Sequence, residues 1–174
     1  MNKNKLNERC RILSKSIIVL SKIYNDKLTT NDQKRFIETF IGAALWYLPQ
    51  DKSHWDNNIS EEALKELQQH KNILKITRDH LYPRKIAARE LLTKYIKEIG
   101  ESEDKLLELY NKLYGRFTLV TQRQNRELIR YQKTEIFKDP YESYKSAGIK
   151  LVHKKWNELP HKEKNKNKQF LESL

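Results

Sequence analysis

Apolar positions recur at helical spacing along most of the chain. From Leu6 to Tyr24, the residues Ile12, Leu13, Ile17, Leu20 and Tyr24 repeat with the period of one helix face. Thr30 then supplies an N-cap, with Asp32 in the first turn, where the helix dipole favours a carboxylate. Phe36, Ile37, Phe40, Ile41, Ala44 and Leu45 carry this second helix to Leu48, and Pro49 stops it. The spacing of Tyr24, Phe36, Phe40, Trp46 and Tyr47 reads as core. The tract Gln50 to Asn58 reads as a polar loop holding Trp55. Ser60 caps a third helix, buried along Ala63, Leu64 and Leu67.

The pattern then changes. Ile73-Leu74-Lys75-Ile76-Thr77 is a short β-prone run leading into Arg78-Asp79-His80-Leu81-Tyr82-Pro83. Pro83 suits a turn or the first position of a helix holding Ile86, Ala87, Leu91, Leu92, Tyr95, Ile96 and Ile99, which Gly100 ends. Ser102 opens another helix, closed by Gly115. β-branched and aromatic residues make Phe117–Thr121 the best strand candidate in the chain. Thr121 and Gln124 match a capping box, so Thr121 should end that strand and cap a helix with Asn125 in its first turn. Asp139-Pro140 reads as a further helix start, and Gly148 breaks the chain before Ile149–Val152. From His153 onward the chain is dense in lysine. The expected fold is mainly α with a minimal two-stranded β element. Residues 1–72 form an N-terminal helical part, 73–133 a centre with helices inserted between its strands, and 134–174 a basic tail with short helices.

Composition narrows the partner. The 174 residues, 37% of them hydrophobic, suit one domain, and the formal net charge is +12. Such an excess draws a protein toward nucleic acid through counterion release. The abundance of Lys and Asn also fits AT-rich coding, in which case part of the charge is compositional. Cys10, the only cysteine, excludes an internal disulfide and fits a reducing cytoplasm. The run Ile17–Leu20 is too short to span a bilayer, and no small-residue cleavage site follows it. A cytoplasmic protein without a membrane partner is expected.

One constellation can carry chemistry. At a strand end Asp79 and His80 would point apart, but in a turn both can converge on one site. Carboxylate and amide oxygens suit a hard cation such as Mg²⁺, and a neutral imidazole can take a proton from water. Asp79, His80 and Asn125 supply these groups. The segment 73–133 resembles the HNH, or ββα-metal, nucleases, which carry an Asp-His pair on the first strand, often followed closely by Pro. Asp79-His80-Leu81-Tyr82-Pro83 has that form, and Asn125 falls where the family places a His or Asn ligand on the helix after the second strand. The resemblance implies Asp79 and Asn125 as ligands of Mg²⁺ or Mn²⁺, His80 as general base, and cleavage of phosphodiester bonds. The bland reading of the same residues is an Asp-stabilised turn before a proline and a polar first-turn asparagine.

Cations surround these positions: Arg78, Arg84 and Lys85 near the Asp-His pair, and Arg123, Arg126 and Arg130 around Asn125. They are candidate phosphate contacts or a solvated face paired with Glu90 and Glu127. Tyr82 and Tyr131 are candidates for base stacking, whereas His54, His70, His153 and His161 read as surface residues. The leading expectation is a metal-dependent endonuclease acting on DNA rather than RNA. The alternatives are a non-catalytic nucleic-acid-binding protein and a helical interaction protein.

Overall fold

The computed structural model describes residues 3–69, 75–133 and 136–160. The expected strand start at Ile73-Leu74, His70, His161 and the lysines from 162 onward lie outside them. In chain order the elements are α1 (Lys3–Tyr24), α2 (Asn31–Trp46), β1 (Trp55–Ser60), α3 (Glu61–Gln68), β2 (Ile76–His80) and α4 (Arg84–Leu92). Then come α5 (Ile96–Glu101), α6 (Lys105–Leu109), β3 (Phe117–Thr121), α7 (Gln122–Leu128), α8 (Pro140–Ser146) and β4 (Leu151–His153). Helices predominate, as expected. The β element, however, has four strands in the order β2-β3-β1-β4 rather than two.

Packing divides the chain into two compact units that interleave in sequence: residues 1–49 with 82–115, and 50–81 with 116–174. The first is all helical. Leu6, Cys10, Leu13 and Ile17 of α1, Ile37 and Ile41 of α2, and Leu91 and Leu92 of α4 meet in one core. Burial pushes the Cys10 thiol up to about 12, so it behaves as a small core hydrophobe. Glu38 is buried in this unit and accepts hydrogen bonds from Tyr24 Oη and Arg89 Nε, both at 2.8 Å. The single helix expected over Ile86–Ile99 breaks after Leu92. There Thr93 Oγ1 donates to the Arg89 carbonyl at 2.7 Å, a local bond that competes with helix continuation.

The second unit contains the sheet. The lone β3 run finds β2 antiparallel on one side and β1 parallel on the other. β1 occupies residues expected as loop, and β4 pairs antiparallel with it from Asn58↔His153 to Ser60↔Leu151. The β1–β3 register shifts between Trp55 and Ile59, where Asn57 takes a φ of 67°. This bulge keeps both Trp55 and Ile59 in the apolar core with Phe117, Leu119, Ala63 and Leu67. Asn tolerates the left-handed region better than most residues, because its short polar side chain bonds locally. The polar composition of the tract hides the strand. Capping expectations hold at Thr30, Ser60, Thr121 and Asp139, each of which accepts a backbone N–H from the first turn of its helix.

The aromatics of α2 are a correction. Phe36, Phe40, Trp46 and Tyr47 lie exposed, as does Ile12 of α1; of the aromatics expected in the core only Tyr24 is buried. The α2 face bearing Ile37, Ile41 and Leu45 takes the core instead. Gly42 sits where α2 passes closest to α4, and a Cβ there would lie 3.0 Å from the Arg84 carbonyl oxygen. Gly42→Val should therefore destabilise the protein by about 1–3 kcal/mol through overpacking. Gly100→Ala, in α5 with open space around it, should stabilise by about 0.5–1 kcal/mol through helix propensity. Urea titration of both variants checks the pair, and equal shifts would refute the close approach.

Candidate functional site

β2 and β3 pair in register from Ile76↔Thr121 to His80↔Phe117, and α7 follows β3 without a gap. Residues directly opposite share a face. Ile76, Arg78 and His80 therefore lie with Phe117 and Leu119, on the apolar side. Thr77 and Asp79 lie with Thr118 and Val120, on the other side. Asp79 and His80 belong to the strand rather than to a turn, so the alternation of side chains sends them to opposite faces.

The Asp79 face is a buried polar row across three strands. Asp79 on β2 stands opposite Thr118 on β3, whose Oγ1 donates to Asp56 Oδ2 on β1 at 2.6 Å. Tyr144 of α8 donates its hydroxyl to Asp79 Oδ2 at 2.5 Å and also engages Thr118. The Gln132 amide reaches both Asp79 oxygens, at 3.3 and 3.1 Å. Asp56 further accepts from the Asn58 backbone and amide, both at 2.9 Å, and from Tyr141 Oη at 3.4 Å. Both aspartates are buried, at 5% and 8% exposure, and among the described residues neither makes an ion pair.

That combination sets the electrostatics. Desolvation is the largest influence on Asp79; the bonds from Tyr144 and Gln132 oppose it, and the charge of Asp56 adds to it. The result is a carboxyl raised from its ordinary 3.8 to about 6. Tyr144, almost fully buried against two carboxylates, is held well above the usual phenol range and serves as a donor.

Asn125 lies half-buried in the first turn of α7. Gln132, seven residues further on, is the amide that meets Asp79. α7 follows Thr121 directly and ends at Leu128, so Asn125 sits toward the Thr121 end of β3 and Gln132 in the turn beyond the helix. His80 is half-buried at the end of β2, its Nδ1 3.5 Å from Gln50 Nε2. The structure thus brings Asp79 together with Tyr144, Gln132, Thr118 and Asp56, and brings neither His80 nor Asn125 to its oxygens. Among the described residues no group of three or more His, Cys, Asp or Glu side chains is placed to hold a metal ion. A buried carboxyl such as Asp79, with no ion-pair partner among the described residues, is costly unless a positive charge joins it or it binds a proton.

The cations expected as a rim are distributed over both units. Arg84, whose guanidinium lies 4.4 Å from the Trp46 ring centroid, and exposed Lys85 belong to the helical unit. Arg78, Arg123, Arg126 and Arg130 belong to the sheet unit. There Arg78 covers the Phe117 ring at 5.2 Å, and Arg123 is paired with Glu62 and Glu127 at 2.5 and 2.9 Å. Arg126 and Arg130 are exposed. Tyr82 packs edge-on against Tyr114 in the helical unit, with ring centroids 5.5 Å apart, and so serves packing. Tyr131 lines a cleft of about 150 Å³ with Ile136, Lys138, Glu142, Ser143 and Ser146. His54, expected at the surface, is buried, with Nδ1 3.2 Å from Asp51 Oδ1. Its polar neighbours in sequence concealed a buried turn.

Sequence reasoning missed Asp56, Thr118, Gln132 and Tyr144. The only available signal was the alternation within Phe117–Thr121, which sets Thr118 on the face opposite Phe117 and Leu119. The raised Asp79 pKa favours the folded state when the group is protonated. Its contribution is fully present below about pH 4 and is lost as pH rises through about 6. Asp79→Asn should therefore gain stability over wild type between pH 4 and pH 8 by up to ~3 kcal/mol. Denaturant titrations in EDTA at both pH values check this, and a pH-independent difference would refute the buried, unpaired carboxyl. No family model matches the chain, and comparisons with curated proteins and with solved structures return no match.

Proposed function

We propose that this protein is a metal-dependent endonuclease of the HNH type, hydrolysing phosphodiester bonds in DNA in preference to RNA and acting in the cytoplasm. The observation that carries the reading is Asp79: a buried carboxyl without a cationic partner, on the first strand of an antiparallel pair that runs directly into a helix. Strand, strand and helix follow in the order that the resemblance implies, with inserted helices where the family has a hairpin loop.

Asp79 would hold Mg²⁺ or Mn²⁺, with Tyr144 and Gln132 orienting its oxygens; the resemblance implies Asn125 as a second donor, which the fold does not bring to those oxygens. A divalent ion, when bound, offsets the negative charge that develops as a phosphodiester is cut. The resemblance implies His80 as the base that takes a proton from water; in β2 it lies on the face opposite Asp79, with Gln50 against its Nδ1. Exposed Arg126 and Arg130, four residues apart on and just beyond α7, would bind phosphates. A second reading, a non-catalytic nucleic-acid-binding protein, is favoured by the opposite orientation of Asp79 and His80 and uses the same two arginines. No helix among the described residues is long and apolar enough to cross a membrane.

Nicking of supercoiled plasmid and of labelled RNA with Mg²⁺ or Mn²⁺ separates the readings. Cleavage that stops in EDTA and falls by about 10²-fold or more in His80→Ala and in Asp79→Asn is the expected result. No cleavage by wild type, with salt-sensitive binding that Arg126→Ala/Arg130→Ala weakens, would establish the binding module instead.

A further inference from the structure

Most of the large hydrophobic side chains left exposed belong to one hairpin. Ile12, Val19 and Ile23 of α1, Leu28 of the connecting loop, Phe36 and Phe40 of α2 and Tyr47 just past its end are each more than half exposed, reaching 89% at Leu28 and 74% at Tyr47. On each helix these positions recur four or seven apart, so each set forms a stripe along one side. The two stripes adjoin. Arg9 of α1 donates to the Tyr47 carbonyl at the end of α2 at 2.6 Å. From that tie the antiparallel helices run together to the loop, which sets Ser16 level with Phe40 and Ile23 level with the start of α2. The face is outward from the core that Leu13, Ile17, Ile37 and Ile41 occupy on the same helices.

Its size and uncharged centre favour one occupant. At 150–250 Å² per aromatic ring and roughly 100 Å² per aliphatic side chain, the seven residues expose on the order of 700 Å² of apolar surface. A scattered monomer surface rarely concentrates that much, whereas a stable dimer buries about 800 Å² on each partner. The stripe itself carries no charged side chain; Ser16 and Ala43 complete it. Charged side chains of both signs, Lys5 and Arg9 at its Tyr47 end and Asp26, Lys27 and Asp32 at its loop end, form a polar rim around the apolar centre, as at a protein–protein interface. We propose that the α1–α2 face joins two copies of this chain as a symmetric four-helix interface, independently of the Asp79 site.

Light scattering coupled to gel filtration of the full chain tests it. Wild type should run at twice the 21.0 kDa chain mass. Phe40→Asp and the milder Phe36→Ser should each weaken association by about tenfold or more. Far-UV circular dichroism should stay unchanged, since both side chains are exposed, while melting loses its dependence on protein concentration. A wild-type monomer at every concentration, or a dimer that survives both substitutions, overturns the proposal. A monomer whose binding to phosphatidylglycerol vesicles or to acidic peptides is lost in the variants also overturns it and reassigns the face.

Discussion

The β2–β3 ladder is the constraint on which the rest depends. Five consecutive residue pairs, from Ile76↔Thr121 to His80↔Phe117, are extended by the Leu81 amide donating to the Arg116 carbonyl at 3.0 Å. That last bond clamps the neck of a 34-residue excursion, Tyr82 to Gly115, at the tip of what would otherwise be a simple hairpin. Closing so long a loop costs only a little more entropy than closing a short one. The inserted helices recover it by burying Leu91, Leu92, Ile99 and Leu106 against α1 and α2. The same ladder fixes which side chains share a face, and so gathers Asp79, Thr118 and Asp56 into one polar row.

That row is an unusual use of a sheet surface. Antiparallel sheets commonly set one apolar face against the core and one polar face toward water. Here the second face is also covered, by α8 and the segment after α7, and its polar groups are satisfied by one another rather than by solvent. Hydroxyl and amide donors can serve two carboxylates, but they supply no countercharge. The arrangement therefore tolerates a proton or a cation far better than a bare charge pair. A side chain held in such a state is destabilising to the fold by itself, and natural proteins concentrate such costs at working positions.

How much of this could be read from residues alone depended on whether the signal was local. Thr30, Ser60, Thr121 and Asp139 announce their helices because a cap is a contact between neighbours in sequence. Phe117–Thr121 was legible as a strand because β-branched and aromatic residues fill it. β1 was not, since Asp56-Asn57-Asn58 looks like a loop and becomes a strand only through its pairing with β3 and β4. Asp79 and Asn125 were visible as residue types in a familiar order. Tyr144 and Gln132, which decide what Asp79 experiences, lie 65 and 53 positions away and left no trace in spacing. Periodicity misled at α2, where both sides of the helix are apolar and only packing selects Ile37 and Ile41 over Phe36 and Phe40.

The interleaving of the two units sets an order of assembly as the chain leaves the ribosome. The helical unit needs residues 82–115 and is complete when Gly115 has emerged, whereas the sheet unit still lacks β3, the central strand that both β1 and β2 flank. Until Phe117–Thr121 follows, β1 and β2 have no partner between them, and their unpaired edges are open to other chains. Within the helical unit Tyr82 and Tyr114 pack edge-on, so the two chain ends of that unit lie side by side and the strands they lead into need span no gap to pair.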